Sequence, residues 1–202
     1  MITRIPLNQF TPMPPTKLSH IVLRSCRVDE MRDWYVKALS ARVVFQQEGG
    51  MGCGLTFDEE HHRIAIIGMP PGDVEKQNAL GDLFAQIDKR RQMSGLEHVS
   101  FTFDGLGQLF ANYRRLTGEG IFPVLCVNHG PVMSMYYLDP DGNNVELQTD
   151  TMPMDQAFEF MYGPQFAENS IGAPYDPEEL CEMYEKGVPL AEIANYGWKE
   201  TA

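Results

Sequence analysis

Two histidines and one glutamate set the chemical question. His20 and His98 each fall near the start of an alternating run, "LSHIVL" and "LEHVSF", and Glu146 sits inside "NNVELQTD" behind the turn "LDPDG". Two neutral imidazoles and a carboxylate that converge form the 2-His-1-carboxylate set, which holds Fe(II) or Mn(II) on one face and leaves the other face open to substrate and dioxygen. Taken singly, each residue has a plainer reading. A strand histidine is most often a hydrogen-bonded core or surface residue, and a strand glutamate usually faces solvent. Their register is what favours the metal reading.

That register comes from an internal repeat. "KLSHIVLRSCRVDEMRDWYVKAL" is an alternating run followed by a helix-period segment with Met31, Trp34, Tyr35 and Leu39 on one side, and "GLEHVSFTFDGLGQLFANYRRL" repeats it with Leu109, Phe110, Tyr113 and Leu116. Three short strand-like runs follow each helix: "RVVFQQ", "CGLTFD" and "RIAIIG", then "FPVLCV", "VMSMYYLD" and "NNVELQ". The histidines lie 78 residues apart, while "LTFDEEHHRIAII" falls on "YYLDPDGNNVELQ" at an offset of 81, a difference that one small loop absorbs. The histidine is therefore duplicated and the carboxylate is not, because Glu146 falls on Ala65. The expected fold is α+β: two βαβββ modules that pair into one curved mixed sheet around the site, since neither short sheet can bury its apolar face alone.

The modules are expected at 17–69 and 95–150, after an N-terminal arm at 1–16. Between them, residues 70–94 read as a loop and then an amphipathic helix with Leu80, Leu83, Phe84 and Ile87. Residues 151–202 form a C-terminal extension with one well-marked helix, capped by Asp176, opened by Pro177 and stopped by Gly187. Other polar residues carry blander readings. "DPDG" supplies turn dihedrals and needs no chemistry, and His61 is a polar turn residue. His62, its neighbour, is expected on the opposite face, where it could stand behind the site, and the same alternation puts only one of Tyr136 and Tyr137 there.

Composition bounds the partners. The 202 residues are 43% hydrophobic and 22% charged with a net charge of −12, so the surface field repels polyanions and disfavours nucleic acid or an anionic membrane as a partner. No apolar run reaches membrane-spanning length and no signal-peptide pattern opens the chain, so a cytoplasmic protein is expected. Cys26, Cys53, Cys126 and Cys181 form no CxxC pair and read as reduced, mostly buried thiols. No GxSxG, P-loop or dinucleotide fingerprint occurs.

The motifs "LSHIVL", "LEHVSF" and "HGPVMSMYYLDPDGNNVEL" resemble those of the vicinal oxygen chelate superfamily, and within it the single-domain type I extradiol ring-cleaving dioxygenases. The resemblance covers about residues 17 to 150, and the tail "NSIGAPYDPEELCEMYEKG" is similar to extensions on bacterial members. It implies His20, His98 and Glu146 as ligands of Fe(II), with Mn(II) as an alternative. It further implies a small aromatic diol and O2 as substrates, and Tyr136, ten residues before Glu146, as a catalytic residue. His129 approximates the family's upstream histidine; its "HG" turn suits either an acid–base or a structural role. Ala65 stands where glyoxalases of the family place a fourth ligand, which argues for the dioxygenase. The alternatives are a metal-dependent isomerase, epimerase or lyase of the superfamily, and a non-catalytic aromatic-ligand binding protein. A homodimer is the default assembly.

Overall fold

The computed structural model describes residues 17–68 and 96–198. The expected N-terminal arm and the helical linker with Leu80, Leu83, Phe84 and Ile87 lie outside the described residues. The first module runs β1 (Ile21–Ser25), α1 (Val28–Leu39), β2 (Arg42–Gln47), β3 (Gly52–Thr56) and β4 (Ile64–Gly68); the second runs β5 (Val99–Thr102), α2 (Gly105–Gly118), β6 (Leu125–Asn128), β7 (Val132–Leu138) and β8 (Asn144–Asp150). Each is βαβββ. In each, the outer strand pairs in parallel with the last strand, and the remaining pairs are antiparallel, in orders β1-β4-β3-β2 and β5-β8-β7-β6.

The apolar periodicity of the helices points at the sheets. Met31, Trp34, Tyr35 and Leu39 of α1, and Leu109, Phe110, Tyr113 and Leu116 of α2, are all buried. They pack against Cys53, Leu55, Ile64 and Ile66 on one sheet and Met133, Met135, Tyr137, Val145 and Leu147 on the other. A fully buried leucine of this kind stabilises by about 1.5–3 kcal/mol. Because strand side chains alternate, filling one face with these residues leaves the even-numbered positions of β8, Glu146 among them, to the opposite face.

The copies superpose in register. Ile21 pairs with Ile64 and Val99 with Val145; Val22 faces Ala65 just as Ser100 faces Glu146. Each module contributes its own hydrogen-bonded mixed sheet to the expected pairing. Near β1 and β5, Phe57 meets Phe101 edge-on with centroids 5.6 Å apart, and both line an open cavity of about 230 Å³ that also takes in His20 and Ser100. The modules are tied elsewhere. The buried Tyr35 hydroxyl of α1 donates to Asp139 Oδ2 at 3.1 Å, Arg27 pairs with Asp141 at 3.0 Å, and Asn112 Nδ2 donates to the Ala38 carbonyl at 3.1 Å. "DPDG" thus does more than turn the chain. Asp139 accepts from the Asp141 and Asn143 amides as a turn cap and also receives the tyrosine of the other module.

The extension adds α3 (Met154–Met161), α4 (Pro164–Glu168), β9 (Ala173–Pro174), α5 (Pro177–Glu185) and α6 (Leu190–Ala194). α5 begins as its sequence signals, with the Asp176 side chain accepting from the Glu178 amide at 2.9 Å and Pro177 in the first turn. β9 pairs with β6 and covers that edge of the second sheet. Tyr113, the repeat equivalent of Tyr35, bonds Glu178 of the extension at 3.4 Å instead of the first module. The four cysteines are free thiols, three of them buried. Among the described residues no helix is long and apolar enough to cross a membrane.

Candidate active site

The site is built on the face of the second sheet turned away from α2. In the antiparallel β7–β8 pair Tyr136 lies directly across from Glu146, and in the parallel β5–β8 pair Ser100 does. His98 lies two residues before Ser100, one residue ahead of the strand's first paired position, and shares its face. Four expected site residues meet here in a continuous line. His98 Nε2 is 3.2 Å from Glu146 Oε2, the Tyr136 hydroxyl is 2.8 Å from Glu146 Oε1, and His129 Nε2 is 3.0 Å from that hydroxyl. Tyr137 points the other way, buried with its hydroxyl donating to Met135 Sδ.

Glu146 is 5% exposed. Burial alone pushes its carboxyl up, yet the Ser100 and Tyr136 hydroxyls, together with the His98 imidazole, outweigh burial and hold it below the ordinary carboxylate range. Burial pushes the Tyr136 phenol well up, and its bond to the carboxylate adds to this, so the hydroxyl keeps its proton at neutral pH. The line therefore contains an ionised carboxylate between the His98 imidazole and the Tyr136 hydroxyl.

Counting hydrogens along it is informative. His129 Nδ1 lies 2.5 Å from the Ile171 carbonyl, which can only accept, so Nδ1 carries a hydrogen. Nε2 of the neutral ring is then an acceptor. The single phenolic hydrogen of Tyr136 stands between two acceptors, Glu146 Oε1 and His129 Nε2, and can serve one at a time. The Tyr136 hydroxyl thus stands between the carboxylate and the His129 ring, 2.8 Å from one and 3.0 Å from the other.

His20 is not part of this line. It is exposed, just ahead of β1, and its ring stacks on His62 with centroids 4.5 Å apart. Among the described residues no three His, Cys, Asp or Glu side chains stand close enough together to hold a metal ion. His20 instead lines, together with Ser100, the cavity between β1 and β5, beside the line rather than within it. The alternation assumed for His61 and His62 also fails. Residues 57–61 form bends rather than strand, so the two rings meet, with Nδ1 atoms 2.6 Å apart, and His62 turns edge-on to Phe45. The close histidine neighbours add to burial in pulling His62 downward.

Ser100, Ser134 and the Ile171 carbonyl are site residues that the sequence reading missed. Ser100 had a signal, since it is two residues beyond His98 on the same strand face. Ser134 shares Tyr136's face for the same reason. Ile171 contributes only its backbone, 42 residues away, and carries no such mark.

Residues 17–147 match the model of the Glyoxalase/Bleomycin resistance protein/Dioxygenase superfamily. Biphenyl-2,3-diol 1,2-dioxygenase 2 of Rhodococcus globerulus is 38% identical over 183 residues, covering 90% of this chain and 88% of that protein. Biphenyl-2,3-diol 1,2-dioxygenase 3 of the same organism is also 38% identical over 183 residues, covering 90% and 89%. Among solved structures, the lactoylglutathione lyase of Agrobacterium tumefaciens is similar with a TM-score of 0.49 and 15% identity over 68% of this chain and 96% of that one. The chain belongs to the Glyoxalase/Bleomycin resistance protein/Dioxygenase superfamily and, within it, to the extradiol ring-cleaving dioxygenases.

Proposed function

We propose that this enzyme cleaves a catechol-type aromatic diol with O2, using a divalent metal ion held by His20, His98 and Glu146, and that Fe(II) is the native ion. The observation carrying this reading is the line His98–Glu146–Tyr136–His129 on one sheet face. The donor set fits a metal. Two neighbouring ligand atoms each about 2.1 Å from one ion and at right angles stand roughly 3.0 Å apart, close to the 3.2 Å between His98 Nε2 and Glu146 Oε2. The carboxylate is already in its ionised form, as ligation requires. His20 occupies the repeat equivalent of His98, and its use as third ligand requires it to leave His62.

Bound iron would supply the redox step between ring and dioxygen and acidify a coordinated diol hydroxyl. The chain's own residues supply position and protons. Once Glu146 is engaged as a ligand, the Tyr136 hydrogen turns toward a substrate oxygen or toward His129 Nε2. His129 Nε2 then accepts a proton released from the diol through Tyr136 and returns it when the ring opens. The apolar side chains Leu18, Phe57, Val99 and Phe101, which line the cavity beside His20 and Ser100, provide a wall against which an aromatic ring excludes water.

Oxygen uptake tests the reading. Protein loaded anaerobically with Fe(II) is expected to consume O2 with a panel of catechols and to form a yellow ring-opened product. Glu146→Ala is expected to abolish turnover, and an active Glu146→Ala protein would refute the ligand assignment.

A further inference from the structure

We propose that residues 169–174 of the C-terminal extension act as a strap that fixes the His129 ring as its Nδ1–H tautomer, so that Nε2 presents a lone pair to Tyr136. The catalytic consequence rests on the dioxygenase reading; the placement of the ring stands apart from it.

Four parts of the extension converge on the three residues around His129. The Ile171 carbonyl receives Nδ1 at 2.5 Å. Gly172 follows at φ +106°, where a Cβ would stand 2.4 Å from the Asn128 carbonyl oxygen and 2.9 Å from His129 Cα, so only glycine lets the strap lie this close. Asn169 locks Gly172 in both directions, its Nδ2 donating to the Gly172 carbonyl at 2.9 Å and its Oδ1 accepting the Gly172 amide at 3.0 Å. Ala173 pairs with Asn128 across β9 and β6. The fully buried Asn128 side chain donates to the carbonyls of Ala194 and Tyr196 at 2.8 and 2.9 Å, and the Trp198 indole donates to the Asn128 carbonyl at 3.2 Å. On the other side, Gly130 at φ +92° admits the Phe160 ring where a Cβ would clash at 2.4 Å, and Phe160 in turn meets Trp198 edge-on at 5.0 Å.

A stabilising appendage has no need to aim a carbonyl at a ring nitrogen. The carbonyl decides the direction of proton transfer. With hydrogen on Nδ1, neutral His129 can take the Tyr136 hydrogen at Nε2; with hydrogen on Nε2 it could only donate to the tyrosine oxygen. Asn169 and Gly172 are thus positioning residues acting through His129.

The test reads the tautomer directly. Imidazole 15N spectra are recorded on the full-length chain, freed of metal by chelation, at about pH 8.5 where imidazoles are neutral, with His129→Gln assigning the signal. The wild type is expected to show a protonated Nδ1 and an unprotonated Nε2. Gly172→Ala, which pushes the strap away, is expected to give averaged tautomers and, in the Fe(II)-loaded enzyme, a kcat loss of about tenfold to a hundredfold with KM for the diol little changed. Asn169→Ala keeps the glycine and removes only the lock; it is expected to move both readouts in the same direction and carries the test if Gly172→Ala does not fold. A wild-type His129 with hydrogen on Nε2, or a tautomer unmoved in a folded strap variant, overturns the proposal. The expected spectra together with a chain that cleaves no catechol would overturn the dioxygenase reading and leave the strap standing.

Discussion

Replacing Tyr136 by phenylalanine removes one oxygen from the middle of the site and separates its two duties. The hydroxyl donates to Glu146 at 2.8 Å and faces His129 Nε2 at 3.0 Å. A hydrogen bond to a charged acceptor contributes about 1.5–3 kcal/mol. Tyr136 is only half-buried, so water can partly replace its hydroxyl, and the lower end of that range, about 1.5 kcal/mol, is expected. In a chain of 202 residues this is a fall in Tm of roughly 3–6 °C, readable by calorimetry. His98 and Glu146 remain, so Fe(II) binding, measured by chelator competition, is expected to weaken by less than about tenfold. Turnover is different, because the proton path from the diol to His129 is cut. Loss of a positioned acid or base lowers kcat by about 10²–10⁴, and with little loss of substrate contact KM should stay within a few-fold. The assay is initial O2 uptake at saturating Fe(II) against diol concentration. A Tyr136→Phe enzyme with kcat within twofold of wild type would refute the proton-transfer role, and one that no longer binds Fe(II) would show Tyr136 to be part of the metal's own support.

Tyr35→Phe leaves Asp139 short of a buried donor between the modules and is expected to lower stability by about 1.5–3 kcal/mol, measured as a shift of the urea midpoint; an unchanged midpoint would remove Tyr35 as a tie. Burial raises the Asp139 carboxyl, against the bonds from Asn143 and Tyr35 that work to lower it. A carboxyl raised on folding contributes stability that is complete below its unfolded value near 3.9 and is lost as pH rises through the folded one. The stability of wild type relative to Asp139→Asn should therefore fall as pH climbs above about 4, and a relative stability that rises instead would contradict the burial argument. His62→Ala frees the His20 ring from a stack worth about 0.5–1.5 kcal/mol, so Fe(II) affinity is expected to tighten roughly twofold to tenfold; weaker binding would mean that His62 supports the metal rather than competing for His20.

Periodicity made most of the fold legible. The helices of both modules bury the sides marked by Met31 and Tyr35 and by Leu109 and Tyr113, and the two offsets of 78 and 81 reappear as the partners Val22↔Ala65 and Ser100↔Glu146. Glu146, Tyr136 and His98 were legible together because strand alternation and cross-strand register are short-range rules, whereas His129, in the turn between β6 and β7, was named only through the family resemblance. The failures are all long-range or local exceptions to alternation. His61 and His62 broke the rule because their segment bends. His20 chose His62 as a neighbour, a choice between two contacts that no periodicity records. The clasp depends on the carbonyl at 171, which meets His129, and on those at 194 and 196, which hold its neighbour Asn128, and a backbone acceptor looks the same beneath every side chain.

Tyr35 and Tyr113 show what a duplication hands down. Both occupy the same turn of equivalent helices and both are buried, but one hydroxyl reaches Asp139 of the neighbouring module and the other reaches Glu178 of the extension. A copied residue inherits its place and not its partner. Buried at its base and polar at its tip, the twin gives the end of the chain an anchor on the second module that needs no new core residue. From that anchor the extension reaches the turn that carries His129.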